Sequence, residues 1–482
     1  MSDILSLDAL GQLQALMTKR VSAVELLEAA IARHQAVKGR LNAVVATDLT
    51  AARERAKTVD ERRMAGEPLG PFAGLPMTIK DTFDVEGLPA SAGVKALLNR
   101  TAHDAEVVAR VRAAGAIPWG KTNVPVMAGD WQSYNDVYGA TNNPWDLTRV
   151  PGGSSGGAAA ALSVGITALE IGSDIGGSLR VPANFCGVLS HKPTWGLVSQ
   201  AGHIPPAPGA YAARDLNVVG PMARSARDLR LLLSVIAQGP IAPKAQPAAL
   251  RGLKVGLWIE EPSFPLDPEV RAVIEGLAAR LAGQGCEVEA IRPIDAPALI
   301  DAYITLLSSV VATDLPPKMQ AEMQRMRGVA KIALRFGADR QGWAGQVLAY
   351  SATHAEWLAA HEQRERLAAQ IKATFDKRDV IIAPISPVTA FPHDHKPFQK
   401  RTLKQSDGKT IPYVSMLNWI ALATALGLPA TAMPAGLAKS GRAVGVQIIG
   451  PHGGDSRTLA VAEAIEEVFG GYLKSPFEIG GR

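Results

Sequence analysis

Cysteine is nearly missing from this chain, with two residues, Cys186 and Cys286, in 482. They stand a hundred positions apart, in neither a CxxC pair nor a histidine cluster, so zinc, dithiol-redox and disulfide-scaffold readings find no support and a reducing compartment suits them. A surplus of one charge is missing as well. Fifty Lys and Arg against 45 Asp and Glu leave a net charge of +5, too dilute for a nucleic-acid face. The densest basic stretch, Lys318 to Arg340, reads as a solvated helix. No basic segment followed by an apolar one opens the sequence, as a secretory signal requires, which makes the cytoplasm the expected compartment. No unbroken membrane span is present either. Ile411 to Ala438 carries no charged side chain, but Pro412, Gly427, Pro429 and Pro434 leave only Tyr413 to Leu426 as continuous helix, short of the roughly 20 residues a span needs. Buried core is expected there. No internal repeat suggests a solenoid.

What remains is a soluble globular composition, 47% apolar and 20% charged. Residues 1–65 read as helices, with Ser22 and Glu25 forming a capping box and Gly39 a stop. From Gly70 the texture changes to short apolar runs punctuated by glycine and proline, such as PMTIKDTFDV and AIPWGKTNVPV, so residues 66–230 read as the central layer of an α/β fold. After an Ala/Pro-rich stretch to Leu250, LKVGLWI and CEVEAI alternate with helical patterns, and helices dominate 296–376. Residues 231–400 are thus a smaller αβ and helical lobe. Residues 401–482 return to the core through AVGVQIIG and a closing helix, Ser456 to Val468, within one domain spanning 1–482.

The conspicuous local feature is glycine. Residues 152–178 hold eight glycines, where the chain average would place roughly three. Glycine costs entropy on ordering, so such clusters persist where backbone amides face a ligand or φ is positive. The clusters are Gly152-Gly153-Ser154-Ser155-Gly156-Gly157 and Gly172-Ser173-Asp174-Ile175-Gly176-Gly177-Ser178, joined by a buried helical run. Three readings compete. A phosphate cradle lacks the GK[ST] ending and the GxGxxG context. A nucleophile elbow at Ser154 lacks the strand that must precede it, because NNPWDLTRVP is a loop sequence. The third is a serine nucleophile activated by lysine, with an amide-rich turn as oxyanion hole.

On that third reading the chain resembles the amidase signature family. The resemblance rests on Gly74-Leu75-Pro76 running into Ile79-Lys80-Asp81, on Gly120-Lys121-Thr122-Asn123, on PGGSSGG from Pro151, and on GSDIGGSLRVPANFCG from Gly172. It continues through Lys192-Pro193-Thr194, Gly220-Pro221-Met222-Ala223-Arg224-Ser225 and VGVQIIG at 444–450. These motifs are dense over residues 70–230 and thinner over the last 80. The resemblance implies an α/β fold with a large, mixed, twisted central sheet covered by helices on both faces. It implies Ser178 as nucleophile, Ser154 as the bridging serine entered through a cis Gly153-Ser154 bond, Lys80 as base, and the backbone of Ile175, Gly176, Gly177 and Ser178 as oxyanion hole. No cofactor and no metal are implied.

The chemistry asks something specific of the lysine. At an ordinary pKa near 10.4, roughly one molecule in 2,500 would carry a neutral amine at pH 7. Burial must push it down, and any close carboxylate would oppose that; Asp81 is therefore expected to point away. Ser155 either orients the lysine or bridge, or caps the following helix. Asp174 either anchors the glycine turn or pairs with Arg180. Cys186 reads as a core thiol, His191 as outside the chemistry, and His393 with His395 as a solvated loop.

Substrate choice is written less plainly. In the family, small hydroxyl residues often stand near positions 130 and 131, in a segment that helps line the acyl side; here the sequence is Gly129-Asp130-Trp131-Gln132. An indole there favours aromatic or aliphatic groups over small polar ones. Met127, Gly129, Trp131, Tyr138, Trp195, Met416 and Trp419 are the pocket candidates. The function expected is hydrolysis of carboxylic amides, with ester or carbamate cleavage alongside. The partner expected is a small-molecule amide, not nucleic acid or membrane, with a homodimer left open. Two alternatives stay open: an A-type component of a glutamyl-tRNA amidotransferase, which shares this triad, and a non-catalytic phosphate or nucleotide binder.

Overall fold

The computed structural model describes residues 3–240, 250–338 and 342–479. An eight-stranded sheet forms its centre, in the spatial order Glu287–Ala290, Lys254–Leu257, Val380–Pro384, Ala443–Ile449, Ala430–Leu437, Leu189–Lys192, Val218–Ala223 and Leu169–Asp174. The first three strands are mutually parallel and the remaining pairings antiparallel. This is the mixed sheet expected.

Side-chain alternation puts successive residues of a strand on opposite faces, and both faces are apolar. Ile382, Val446 and Ile448 join one cluster with Leu229, Leu232, Ile274, Leu277, Leu459 and Ile465 from the helices Ala226–Ile236, Pro268–Gly283 and Asp455–Phe469. Ile381, Ala383 and Ile449 join the other, with Val181, Phe185, Leu299, Leu306, Leu367 and Ile371 from Arg180–Cys186, Ala296–Ala312 and His354–Phe375. Helices therefore cover both faces.

A second sheet of three strands has Val44–Thr47 antiparallel to Ile117–Thr122, which runs parallel to Pro76–Lys80. Pro76–Lys80 forms its edge and lies against Leu169–Asp174, the edge of the large sheet. Thr78 Oγ1 donates to Glu170 Oε1 at 2.6 Å, and Lys80 Nζ to Ser173 Oγ at 2.9 Å. The two edges thus advance in the same sense, bringing Lys80 to the end where the glycine turn begins.

Several boundaries differ from the sequence reading. The helix Ala23–Leu41 keeps the Ser22/Glu25 capping box but runs through Gly39 and ends where Asn42 adopts φ 51°; the side-chain amide of Asn42, held by the Tyr138 and Ala140 carbonyls, supports that stop. Tyr413–Leu426 is not one helix but a 3-10 turn, Tyr413–Leu417, and a short helix, Ala421–Ala425. The second glycine cluster opens inside a strand, since Gly172–Asp174 complete Leu169–Asp174. Lys318 falls in the largely exposed helix Pro317–Arg335; positions 339 and 340 of that basic stretch, and most of the Ala/Pro-rich stretch before Leu250, lie outside the described residues. Among the described residues no helix is long and apolar enough to cross a membrane.

Candidate active site

Lys80 closes the strand Pro76–Lys80 and is fully buried. Its Nζ donates to Ser154 Oγ at 2.7 Å and to Ser173 Oγ at 2.9 Å. Burial pulls its pKa down to about 7, against the opposing influence of Asp174 and Glu170. A lysine so placed is neutral in about half the molecules at pH 7. Asp81 does point elsewhere, accepting from Ser91 Oγ at 2.5 Å with Lys121 Nζ at 3.9 Å. The carboxylates that count are on the neighbouring strand. Burial drives the Glu170 carboxyl up to about 8. Burial also pushes Asp174 up, but the charge and hydrogen bonds of Arg180 outweigh it and hold that carboxyl below its ordinary range.

Ser154 reaches the lysine because the loop before it is pressed into a narrow space. The Gly153-Ser154 bond is cis. A Cβ at Gly153 would stand 2.4 Å from the Asp130 carbonyl oxygen, so no larger residue fits. Ser133 pins the loop: its Oγ donates to the Gly152 carbonyl at 3.0 Å and accepts from the Gly156 N–H at 3.1 Å. Ser155 takes neither role expected of it. It is the N-cap of Gly156–Ser163 without a side-chain capping bond, and its buried Oγ has no partner among the described residues.

The loops meet where the Ser155 N–H donates to the Ser178 carbonyl at 3.3 Å. Ser178 ends a turn organised by Asp174, which does both things foreseen for it. Its carboxylate accepts from the N–H groups of Gly177 at 2.9 Å and Leu179 at 3.2 Å, and it forms a two-point pair with Arg180 at 3.0 Å. Gly177 sits at φ 88°, a conformation that favours glycine. The carbonyls of the turn are held from outside: Tyr303 Oη donates to Ile175 O and Trp131 Nε1 to Gly176 O, both at 2.7 Å. In a trans peptide the C=O and the next N–H point in opposite directions. Holding the Ile175 carbonyl outward therefore turns the Gly176 N–H the other way. Among the described residues the N–H groups of Ile175, Gly176 and Ser178 have no acceptor, whereas that of Gly177 is spent on Asp174.

The pocket candidates do not assemble as one wall. Trp131 is at the turn, packed against Phe398 and Tyr413, and Asp130 beside it is fixed by Arg401 at 2.5 Å and Tyr413 Oη at 2.6 Å. Trp419 is core: fully buried, its Nε1 bonded to the Pro265 carbonyl, it packs edge-on against Trp258 and Phe264. Met416 is equally buried, with Ser386 Oγ on its sulfur. Trp195 is exposed and borders a cavity of ≈ 730 Å³ shared with Leu216, Arg364 and Phe375, whose walls include none of Lys80, Ser154 and Ser178. Met127 packs beside Ala90, Ala92 and Ile204, Gly129 is an exposed turn residue, and the buried hydroxyl of Tyr138 has no partner among the described residues.

Other candidates find structural places. Cys186 and Cys286 are free and buried, and burial pushes both thiols up. His191 bonds Asp455 and Thr431, and His395 stacks on Tyr134. Ser173, Glu170, Tyr303 and His203 escaped the sequence reading. Ser173 adjoins Asp174 in a motif already singled out; Tyr303 and His203 had no local signal, because tertiary folding alone brings them in.

The family profile described as Amidase matches residues 25–459. The A component of the glutamyl-tRNA(Gln) amidotransferase of Heliobacterium modesticaldum is 33% identical over 500 residues, covering 96% of both sequences. The structure of 6-aminohexanoate cyclic dimer hydrolase complexed with substrate matches with a TM-score of 0.79 at 27% identity, over 99% of this chain and 100% of that one. That of a bacterial aryl acylamidase matches with a TM-score of 0.79 at 25% identity, over 96% of each.

Proposed function

Because the chain belongs to the amidase signature family, an enzyme family acting on amide C–N bonds, we propose that it hydrolyses carboxylic amides with an aromatic or aliphatic group through a Ser178 acyl-enzyme. The observation that carries this reading is the fully buried amine of Lys80, 2.7 Å from Ser154 Oγ with its pKa brought to about 7. It supplies an uncharged base at neutral pH beside a hydroxyl that can pass protons on.

In the mechanism, Lys80 Nζ takes the proton of Ser154 as Ser154 Oγ takes that of Ser178, and Ser178 Oγ attacks the amide carbon. Negative charge grows on the former carbonyl oxygen and is met by the N–H groups of Ile175, Gly176 and Ser178. The Gly177 amide, included on resemblance, is left out because Asp174 already uses it. As the tetrahedral adduct collapses, Ser154 hands a proton to the departing nitrogen and regains one from Lys80. Water then repeats the sequence on the ester and releases the acid. The Trp131 indole beside the turn supports an apolar acyl or amine group.

The kinship with the A components of amidotransferases favours a second reading, in which the same triad releases ammonia for a partner. Purified chain assayed alone on an anilide and on glutamine separates the two. Anilide hydrolysis without a partner is the expected result; hydrolysis of glutamine only when a partner protein is added would replace it with the second reading. Ser178→Ala should abolish turnover, and Lys80→Ala and Ser154→Ala should each lower it by on the order of 10³-fold or more. Near-normal turnover in Lys80→Ala would discard the relay.

A further inference from the structure

His203 stands outside the groups used so far. Its ring is 5% exposed and packs edge-on against Phe83, with centroids 4.9 Å apart. Nδ1 lies 2.8 Å from the Pro205 carbonyl oxygen and Nε2 lies 2.8 Å from Ser173 Oγ. A carbonyl oxygen can only accept, so Nδ1 carries the hydrogen. Burial, reinforced by the Lys80 charge, pulls the pKa of this imidazole down to about 3. The ring is neutral at any working pH, and a neutral imidazole with hydrogen on Nδ1 offers a bare lone pair at Nε2. The Ser173 hydroxyl therefore donates to His203, and its oxygen is left to accept from Lys80 Nζ, 2.9 Å away.

We propose that His203, acting through Ser173, is a positioning residue for the amine of Lys80. By holding the Ser173 proton it makes Ser173 toward the lysine an acceptor only, which ties down one N–H of Lys80; once the amine is uncharged, its lone pair is left to accept from the Ser154 hydroxyl, the reverse of the donation made by the ammonium form. A Ser173 hydroxyl free to turn would itself donate to the neutral amine, occupying the lone pair that the relay needs. The chain of bonds runs from the Pro205 carbonyl through His203 and Ser173 to Lys80, and the tautomer at its far end sets the direction of every bond in it. This role rests on the Lys80–Ser154–Ser178 reading and deepens it.

The test is the rate constant for labelling of Ser178 by a fluorophosphonate, which reports nucleophile activation without requiring the natural substrate. Ser173→Ala, His203→Leu and their double variant form a cycle, with His203→Gln as the conservative variant. His203→Leu is expected to slow labelling by about tenfold or more. His203→Gln should recover most of that loss, because its amide oxygen can accept from Ser173. In the Ser173→Ala background, His203→Leu should cost nothing further, since its effect passes through the hydroxyl already removed. Losses that multiply in the double variant, a His203→Gln variant as slow as His203→Leu, or an unaffected His203→Leu would each overturn the proposal. Thermal unfolding checks each variant. Should His203→Leu fail to fold, His203→Asn, whose shorter amide keeps the Pro205 contact and falls short of Ser173, takes its place in the cycle. Absence of Ser178 labelling in the unmodified enzyme would instead bring down the triad reading itself, whereas labelled enzyme with multiplying losses removes only the role of His203.

Discussion

At the scale of one residue, Lys80 is a buried amine kept close to losing its charge. Lowering its pKa from 10.5 to about 7 corresponds to a penalty on the ammonium form of about 5 kcal/mol. Two predictions follow from the direction of the shift. The neutral amine is the active form, so kcat/KM should fall as pH drops below about 7 and level off above it; a profile flat from pH 5 to 8 would remove Lys80 as the base. The same penalty weighs on the fold. Below pH 7 folding must bury a charged amine, and the cost fades as pH rises toward 10.5, where the unfolded chain also loses the proton. Lys80→Met should therefore be more stable than the parent at pH 7 by about 1–2 kcal/mol, and unfold at higher temperature, while being inactive. A lower unfolding temperature would mean that the hydrogen bonds to Ser154 and Ser173 outweigh desolvation. The lysine and the need to shift it were legible in the sequence, and so was the aversion of Asp81. The nearness of Glu170 was not, because only the meeting of two sheet edges brings that side chain toward Lys80.

At the scale of an element, the strand Leu169–Asp174 and the turn that follows it hold most of the chemistry. Glycine density disclosed the turn, yet not that its first residues are strand, nor that its carbonyls are gripped by Tyr303 from the helix Ala296–Ala312 and by Trp131. Aromatic residues in an apolar run look alike in sequence whether they pack a core, as Trp419 does, or steer a peptide plane. Tyr303→Phe separates the hydroxyl's role from the ring's. Without the bond to the Ile175 carbonyl, the Gly176 N–H loses its fixed aim, and kcat should drop by about tenfold with KM little changed. A matched loss in KM instead would assign Tyr303 to substrate binding.

At the scale of the molecule, two apolar layers flank the eight-stranded sheet, and the smaller sheet joins its edge through Thr78, Glu170, Lys80 and Ser173. The short apolar runs marked a buried sheet, and the resemblance implied helices on both its faces; the seam between the sheets was not announced, since strand order is a property of the folded chain. Glu170 makes that seam sensitive to pH. Its folded pKa, about 8, lies above the ordinary 4.5, so its contribution is complete below pH 4.5 and lost as pH climbs through 8. Glu170→Gln should flatten this part of the stability profile and raise the denaturant midpoint at pH 8 relative to the parent; an unchanged slope between pH 5 and 8 would show that the seam does not titrate there.

Both native thiols are buried in the fold, Cys186 completely and Cys286 to within 7% exposure, and burial pushes the pKa of each up. Maleimide or iodoacetamide should find nothing to react with while the protein stays native, and a single cysteine introduced on the surface would then be the one place to accept a fluorophore or spin label. The wild-type sequence can thus serve directly as the starting point for distance measurements, with neither natural thiol first having to be removed.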